Sequence, residues 1–330
     1  MVKFLVIRLS SIGDIVLTTP VIRCLKQQVE GAEIHYLTKE QYAGILAPNP
    51  YVDKLWTYNN NMGELLTRLK EEEFDYIIDL HHNLRTLRIK NKLRKLSFSF
   101  DKLNFQKWLL VNFKINRLPD VHIVDRYLKT VELFDVKNDH KGLDYFLPEE
   151  ALHPAHPVLS EIPEKYILLA IGAQHETKKA GPEMLAEIID NVNFPVVISG
   201  GKGDVQLAES ILKNISKNKE VWDTSGKLSL HQSALLVKNA AVVITHDTGL
   251  MHIAAAFKKK IISIWGNTIP GFGMYPYLPH PDSKNFEVLG LKCRPCSKIG
   301  HKACPKKHFR CIKDQNPREI AMYATKLANS

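Results

Sequence analysis

The residues best able to do chemistry sit in short stretches at the ends of apolar runs. In T-H-D-T-G-L-M-H-I-A-A-A (245–256), His246, Asp247, Thr248, Gly249 and His252 follow the apolar run A-A-V-V-I. Polar groups at the rim of a buried strand cost free energy unless they are paired or wet. Asp247 either caps the following helix, or the helix-start amides, the Thr248 hydroxyl and nearby lysines form a phosphate cradle. In R-L-S-S-I-G-D (8–14), Gly13 permits a tight turn and Asp14 falls in a first helical turn. Asp14 there either steadies the helix end or acts as a general base. This loop lacks G-x-G-x-x-G, which disfavours an ordinary dinucleotide site. D-L-H-H-N-L-R-T (79–86) gathers Asp79, His81, His82, Asn83 and Arg85. Arg85 suits a carboxylate or phosphate, while a histidine pair with no further ligand at helical spacing reads as a surface feature rather than a metal site. Lys178 and Lys179 precede Pro182, where a helix begins. Cations there oppose the helix dipole unless an anion lies between them. S-G-G-K-G-D (199–204) sets three glycines around Lys202, as an anion nest or as a plain turn.

Four of the five cysteines, Cys293, Cys296, Cys304 and Cys311, follow a C-x2-C-x7-C-x6-C pattern. In a reducing compartment disulfides are disfavoured. The alternatives are a closed four-thiolate zinc site stapling an irregular basic loop, with an iron–sulfur cluster less suited, and a set of reduced, partly buried thiols. Cys24 lies in the first helix and suits core packing.

The elements that must position these groups alternate. Apolar strands are expected over 3–9, 33–38, 52–58 and 74–81, with a helix running to about Val29, a short one near 40–47 and another over 62–73. The pattern restarts with strands over 165–173, 194–201, near Val221, 240–245 and 261–266, separated by helices over 182–191, 204–217, 229–239 and 249–257. Thr19-Pro20 reads as a second helix start or as a kink in one long helix. An amphipathic helix over 317–328 ends the chain. Near-continuous apolar strands joined by helices imply parallel sheets covered on both faces. The proline-rich stretch 147–164 reads as a linker. The α/β chain is thus expected to form two Rossmann-like, doubly wound domains, 1–155 and 156–330, facing across a cleft. The second carries the cysteine loop 293–311 and the terminal helix. Ligands in such sheets bind beyond the carboxyl ends of the strands.

At 330 residues with 45% hydrophobic residues, the chain has ample apolar content for two cores. It has no apolar run long enough to span a bilayer, and its first residues read as a strand rather than a signal peptide, so a cytoplasmic location is expected. The balance of 45 Lys and Arg against 35 Asp and Glu leaves +10 and favours an anionic partner. The surplus gathers in 85–95 and from Lys292 to Lys313. With no aromatic-interleaved or helix-turn-helix pattern, nucleic acid is the weaker reading.

S-S-I-G-D-I-V-L-T-T-P, the K-x-G-P of Lys179 to Pro182 and H-D-T-G-L-M-H-I-A-A-A resemble glycosyltransferase family 9, the lipopolysaccharide heptosyltransferases, in order and spacing over nearly the whole chain. The D-T-G-x-x-H stretch is the most specific part. The resemblance implies a GT-B architecture, with acceptor bound mainly to the first domain and nucleotide-sugar to the second, and an inverting transfer that needs no catalytic metal. It implies Asp14 as catalytic base and Lys179, Asp247, Thr248, Gly249 and His252 as donor-binding residues. Ser11, Gly13, Asn83 and Arg85 are then the acceptor-side candidates. The family pattern has a large aromatic just before Pro182, where this chain has Gly181.

The expected function is therefore transfer of a sugar, heptose from ADP-heptose, to an acidic lipid-linked lipopolysaccharide core acceptor. The basic and aromatic residues of 85–113 would give peripheral contact with the inner membrane face. No cofactor is expected in catalysis, and zinc would be structural. The rival reading is a nucleotide- or polyanion-binding protein that keeps the fold without turnover, against which an intact Asp14 argues.

Overall fold

The computed structural model describes residues 1–152 and 156–330. It divides into two compact units: Met1–Leu103 with Val121–Phe146, and Asn104–Asp120 with Leu147–Ser330. The segment 104–120, numbered inside the expected first domain, clusters with the second unit, because helix Asn104–Phe113 and its flanks find their partners there. Lys114, for one, donates to the carbonyls of Cys293 and Pro295. The expected boundary at 155/156 falls at residues 153–155, which lie outside the described residues. Within the expected linker, helices of a single turn form at Glu149–Leu152 and Pro157–Ser160.

The first unit holds a five-stranded parallel sheet of β1 (Val2–Ile7), β2 (Ala32–Lys39), β3 (Lys54–Tyr58), β4 (Tyr76–Asp79) and β5 (Leu96–Ser99), ordered β3-β2-β1-β4-β5. Its inner strands are buried on both faces: Phe4 through Ile7 and Ile77 through Asp79 have no exposure. Leu5, Ile7, Leu37, Trp56, Leu69, Phe74 and Ile89 pack one core. The edge strand β5, L-S-F-S, is short and half-exposed, which is why periodicity does not reveal it.

The helical stretch after β1 forms two pieces, Ile12–Val16 and Thr19–Gln28. Thr18 occupies the N-cap position and Pro20 the first turn, where its missing N–H costs nothing. Arg23 of the second piece is 2% exposed and holds Asp139 at 2.7 Å, together with Asp144. Its guanidinium holds the Asp139 carboxyl at about 2, below the usual carboxylate range. This clamp ties the returning segment 121–146 to the sheet's helical cover.

The second unit holds a six-stranded parallel sheet of β6 (Ile167–Ala170), β7 (Val196–Ser199), β8 (Val221–Asp223), β9 (Val242–His246), β10 (Lys260–Trp265) and β11 (Lys284–Glu287), ordered β11-β10-β9-β6-β7-β8. Every residue of β6, β7 and β9 is buried. Ile320, Ala321, Ala324 and Leu327 of the terminal helix Pro317–Asn329 close one face of this core. β11, K-N-F-E, buries only Phe286 and is a second edge strand without an apolar run. Each sheet reverses its winding between its first and fourth strands, β1/β4 and β6/β9. A crevice opens at such a point, and ligands of this fold class collect there.

Candidate functional site

The loops after β1 and β4 flank the first switch point. Asp14 is the third residue of helix Ile12–Val16 and forms a capping box with Ser11. Its Oδ2 accepts from the Ser11 amide at 3.1 Å and hydroxyl at 2.7 Å. Its Oδ1 meets Arg8 Nη2 at 2.6 Å. Arg8, at the end of β1, is nearly buried; it also donates to the carbonyls of Ser10 and Leu80 and to Tyr127 Oη at 3.0 Å. Burial alone would lower the Arg8 pKa, but the Asp14 carboxylate reverses that and holds it above its ordinary value. The helix-end and ion-pair roles of Asp14 therefore coexist, and the carboxylate is fixed from two sides. Arg8 and Tyr127 are the residues that local pattern misses, being 119 positions apart.

Beyond β4, buried Asp79 accepts from the amides of His81 and His82 and from Thr86 Oγ1, and pairs with Lys90 at 3.0 Å. Asn83 caps helix Leu84–Leu93, its Oδ1 accepting from the amides of Arg85 and Thr86. Its amide oxygen is thereby occupied, whereas Arg85 is exposed on the helix. His81 lies within electrostatic reach of Arg8, Lys102, Asp14 and Asp79. Burial, then Arg8 and Lys102, push its pKa down to about 4, so the ring is neutral at pH 7.

The loops after β6 and β9 flank the second switch point. Lys178 Nζ meets Asp247 Oδ2 at 2.5 Å, and Asp247 also accepts from Thr268 Oγ1 at 3.0 Å. Lys179 Nζ lies 3.0 Å from Asp204 and 2.8 Å from Glu176. Asp247 therefore does not cap the next helix. Thr248 holds the N-cap position of Gly249–Ala256 with no side-chain cap bond, and the start of that helix lies partly open. His252 is buried one turn on. His246, at the end of β9, is also buried; its Nε2 accepts from the Ala180 amide at 3.0 Å, which pins the lysine loop to the sheet. Burial and then Lys179 hold His246 neutral, with its pKa pushed down to about 4. Asp204, of the 199–204 glycine stretch, sits so close that a Cβ on Gly172 would lie 2.5 Å from its Oδ2, and one on Gly200 2.9 Å from its Cβ. The glycines there make room for this carboxylate. Lys202 is exposed.

The cysteine loop borders the same region. Thr177 exchanges backbone and side-chain hydrogen bonds with His301 and Asn267. All five cysteines are free thiols. Among the described residues, no three His, Cys, Asp or Glu side chains stand in ready metal-binding geometry, and no helix is long and apolar enough to cross a membrane.

Residues 62–309 match glycosyltransferase family 9 (heptosyltransferase), and the chain belongs to that family. It is a glycosyltransferase. The match covers both loops of the second switch point and the β4 loop but not Asp14. Among curated relatives, lipopolysaccharide heptosyltransferase 1 of Campylobacter coli is 24% identical over 288 residues, covering 81% of this chain and 84% of the relative. Lipooligosaccharide heptosyltransferase 2 of Haemophilus influenzae is 25% identical over 305 residues, covering 82% and 85%. Among solved structures, a family 9 glycosyltransferase from Veillonella parvula superposes with a TM-score of 0.80 at 21% identity, over 99% of this chain and 97% of that one. The E. coli ADP-heptose lipopolysaccharide heptosyltransferase II superposes at 0.75 and 18% identity, over 99% and 98%. The fold is thus of the GT-B class.

Proposed function

We propose that the chain transfers heptose from ADP-heptose to an acidic lipopolysaccharide core acceptor, with inversion at the anomeric carbon. The observation that carries this reading is the convergence of Lys178, Lys179 and the uncapped start of helix Gly249–Ala256 at the second switch point. Those cations and amides suit a diphosphate whose negative charge grows as its bond to the sugar breaks. Asp247, Asp204 and Glu176 hold the two lysines. The Glu176 contact is the weakest of these, since that side chain is 62% exposed and an exposed pair is worth at most about 1 kcal/mol. Phosphate displaces Glu176 from Lys179, while Asp204 steadies the same lysine from behind. A carboxylate repels phosphate, so Asp247 serves hydroxyl groups of the donor.

In the transfer the acceptor hydroxyl oxygen attacks the anomeric carbon from the face opposite the leaving group. The carbon–oxygen bond to the β-phosphate breaks, ADP departs with the electron pair, and Asp14 takes the hydroxyl proton. Arg8 and Ser11 keep the carboxylate aimed, and neutral His81 adds no charge beside it. Lysines and amides supply the counter-charge, so turnover needs no added divalent cation. Ser11, Gly13, Asn83 and Arg85 border the acceptor's approach. On the cytoplasmic side, exposed Phe105, Trp108 and Phe113 of helix Asn104–Phe113 suit a lipid headgroup layer. Exposed Arg85, Arg88 and Lys92 suit its anionic charge.

The test is ADP release from ADP-heptose in the presence of heptose-deficient core acceptor, with no added divalent cation, and proton NMR of the product linkage. The reading requires an inverted anomer. A retained configuration, or donor binding without turnover, would sink it, the latter in favour of a non-catalytic binder.

A further inference from the structure

Between the end of β11 at Glu287 and the single helical turn at Arg310 the chain forms no regular element. Leu289 and Ile299 of this stretch face outward, so apolar burial alone does not order it. Yet its course is defined. Arg294 donates to the carbonyls of Gly266 at 2.7 Å and Thr268 at 2.6 Å and pairs with Glu287 at 2.6 Å. His301 Nε2 approaches the Cys296 carbonyl at 3.2 Å. Inside the bend, Cys293, Cys296, Cys304 and Cys311 all line one small void, with His308, Thr177 and Asn267 completing its wall. His308 Nε2 lies 3.6 Å from Cys293 Sγ.

We propose that these four cysteines bind a single thiophilic metal ion, zinc or iron, and that the loaded loop is the strut that sets the diphosphate-binding lysines. Four thiolates around one ion are the ligand set these metals favour. Uptake draws the four side chains inward about the void they already line, and each thiol gives its proton to solvent. Four thiolates around a divalent ion leave a net negative centre, which needs cations near it. From 292 to 313 the chain has eight Lys and Arg and no Asp or Glu. Lys114 donates to the Cys293 and Pro295 carbonyls, adding a further cation. The basic run that phosphate recognition leaves unexplained is thereby accounted for, and His308 is placed to donate to a sulfur as an outer partner.

The strut follows from Thr177, the residue before Lys178. Its amide donates to the His301 carbonyl at 3.2 Å, its hydroxyl accepts from the His301 amide at 2.8 Å, and its carbonyl accepts from the Asn267 amide at 3.1 Å. Two glycines allow the contact: a Cβ on Gly266 would lie 2.3 Å from the Thr177 carbonyl oxygen, and one on Gly300 2.5 Å from His175 Cβ. Arg294 holds the Thr268 backbone, and the Thr268 hydroxyl donates to Asp247. The cysteine loop thus grips both sides of the Lys178–Asp247 pair. This part rests on the diphosphate reading of that pair.

The full chain, purified without chelator, is expected to carry one metal per chain by mass spectrometry. Zinc leaves it colourless, and iron adds a thiolate charge-transfer band in the visible. Blocking the thiols with an organomercurial should release that ion stoichiometrically, and Cys296→Ser and Cys304→Ser should lower its content severalfold. Metal-free protein that keeps its far-ultraviolet circular dichroism should bind ADP at least tenfold more weakly by calorimetry, and adding the metal back should restore affinity. Fewer than one metal per five chains, with all thiols freely titrated, overturns the site. Equal ADP affinity with and without metal overturns the strut. Full metal content in a protein that never binds ADP leaves the metal site standing and refutes the diphosphate reading instead.

Discussion

Substituting Gly266→Ala tests the seat of the lysine loop with one methyl group. The added Cβ would lie 2.3 Å from the Thr177 carbonyl oxygen and 3.3 Å from Ile312. Backbone atoms cannot rotate aside as a side chain can, so Thr177 must recede by roughly 1 Å to restore van der Waals contact at about 3.4 Å. That carbonyl carries the Asn267 amide bond of 3.1 Å, which is lost or stretched. Losing one hydrogen bond costs about 1 kcal/mol net, and overpacking adds about 1–3 kcal/mol. The sum, about 2–4 kcal/mol, corresponds to a fall in the unfolding midpoint of about 4–16 °C for a unit of this size. Lys178 follows Thr177 directly, and an ångström of misplacement near a reacting group can cost about a hundredfold in rate. Calorimetric ADP binding and kcat/KM for ADP-heptose, read beside the melting curve, give the answer. Gly63→Ala, where the nearest atom to the new Cβ is 3.8 Å away in helix Met62–Glu71, serves as the neutral control. A Gly266→Ala protein with wild-type ADP affinity and midpoint would refute the close approach, and with it the argument that the cysteine loop and lysine loop move as one.

Asp14→Asn should lower turnover by about 10²–10⁴-fold while leaving the calorimetric affinity for ADP within a factor of about two; near-normal turnover would unseat Asp14 as base. The native His246 ring resists a proton that the unfolded chain accepts near pH 6.5, its pKa being pushed down to about 4. Stability from this residue is therefore full above about pH 6.5 and is lost as pH falls towards 4, by about 3 kcal/mol in all. Urea unfolding at pH 7 and pH 5 should show about 2 kcal/mol of this loss, and His246→Asn should decline more shallowly; parallel curves would refute the assignment. Vesicles containing anionic lipid should retain the protein at low salt and release it at high salt. Replacing Phe105 and Trp108 with Ser should weaken sedimentation with those vesicles about tenfold, and equal retention of wild type and variant would remove that helix from membrane contact.

The inner strands and the loops that follow them were legible because parallel strands buried on both faces read as unbroken apolar runs. The edge strands β5 and β11 were not, since L-S-F-S and K-N-F-E each present half-exposed or polar positions that mimic loops. Thr18 rather than Thr19 precedes the second helix piece, a slip of one residue at a terminus where caps decide the boundary. Asp14, Lys179 and Asp247 could be singled out because each lies at a strand-to-helix turn. Their partners could not. Arg8 meets Tyr127 across 119 positions, and Lys179 meets Asp204 across a strand, a helix and a turn. Asp247 read equally well as a cap or as a ligand group; a lysine on another loop, not local pattern, settles that it is no cap. The assignment of 104–120 to the second unit was likewise invisible, since helical periodicity says which face is apolar but not which body covers it.

The first unit is not one continuous length of chain, and this bears on how its carboxylate becomes organised during synthesis. Tyr127, Asp139 and Asp144, which brace Arg8 and Arg23, leave the ribosome only after an excursion that belongs to the other body. A nascent chain halted at residue 103 possesses all five strands of its sheet but neither brace. Arg8, the partner of Asp14, should therefore gain its Tyr127 contact late, and a minimal fragment intended to bind acceptor alone must rejoin 121–146 to the strands through a short artificial bridge.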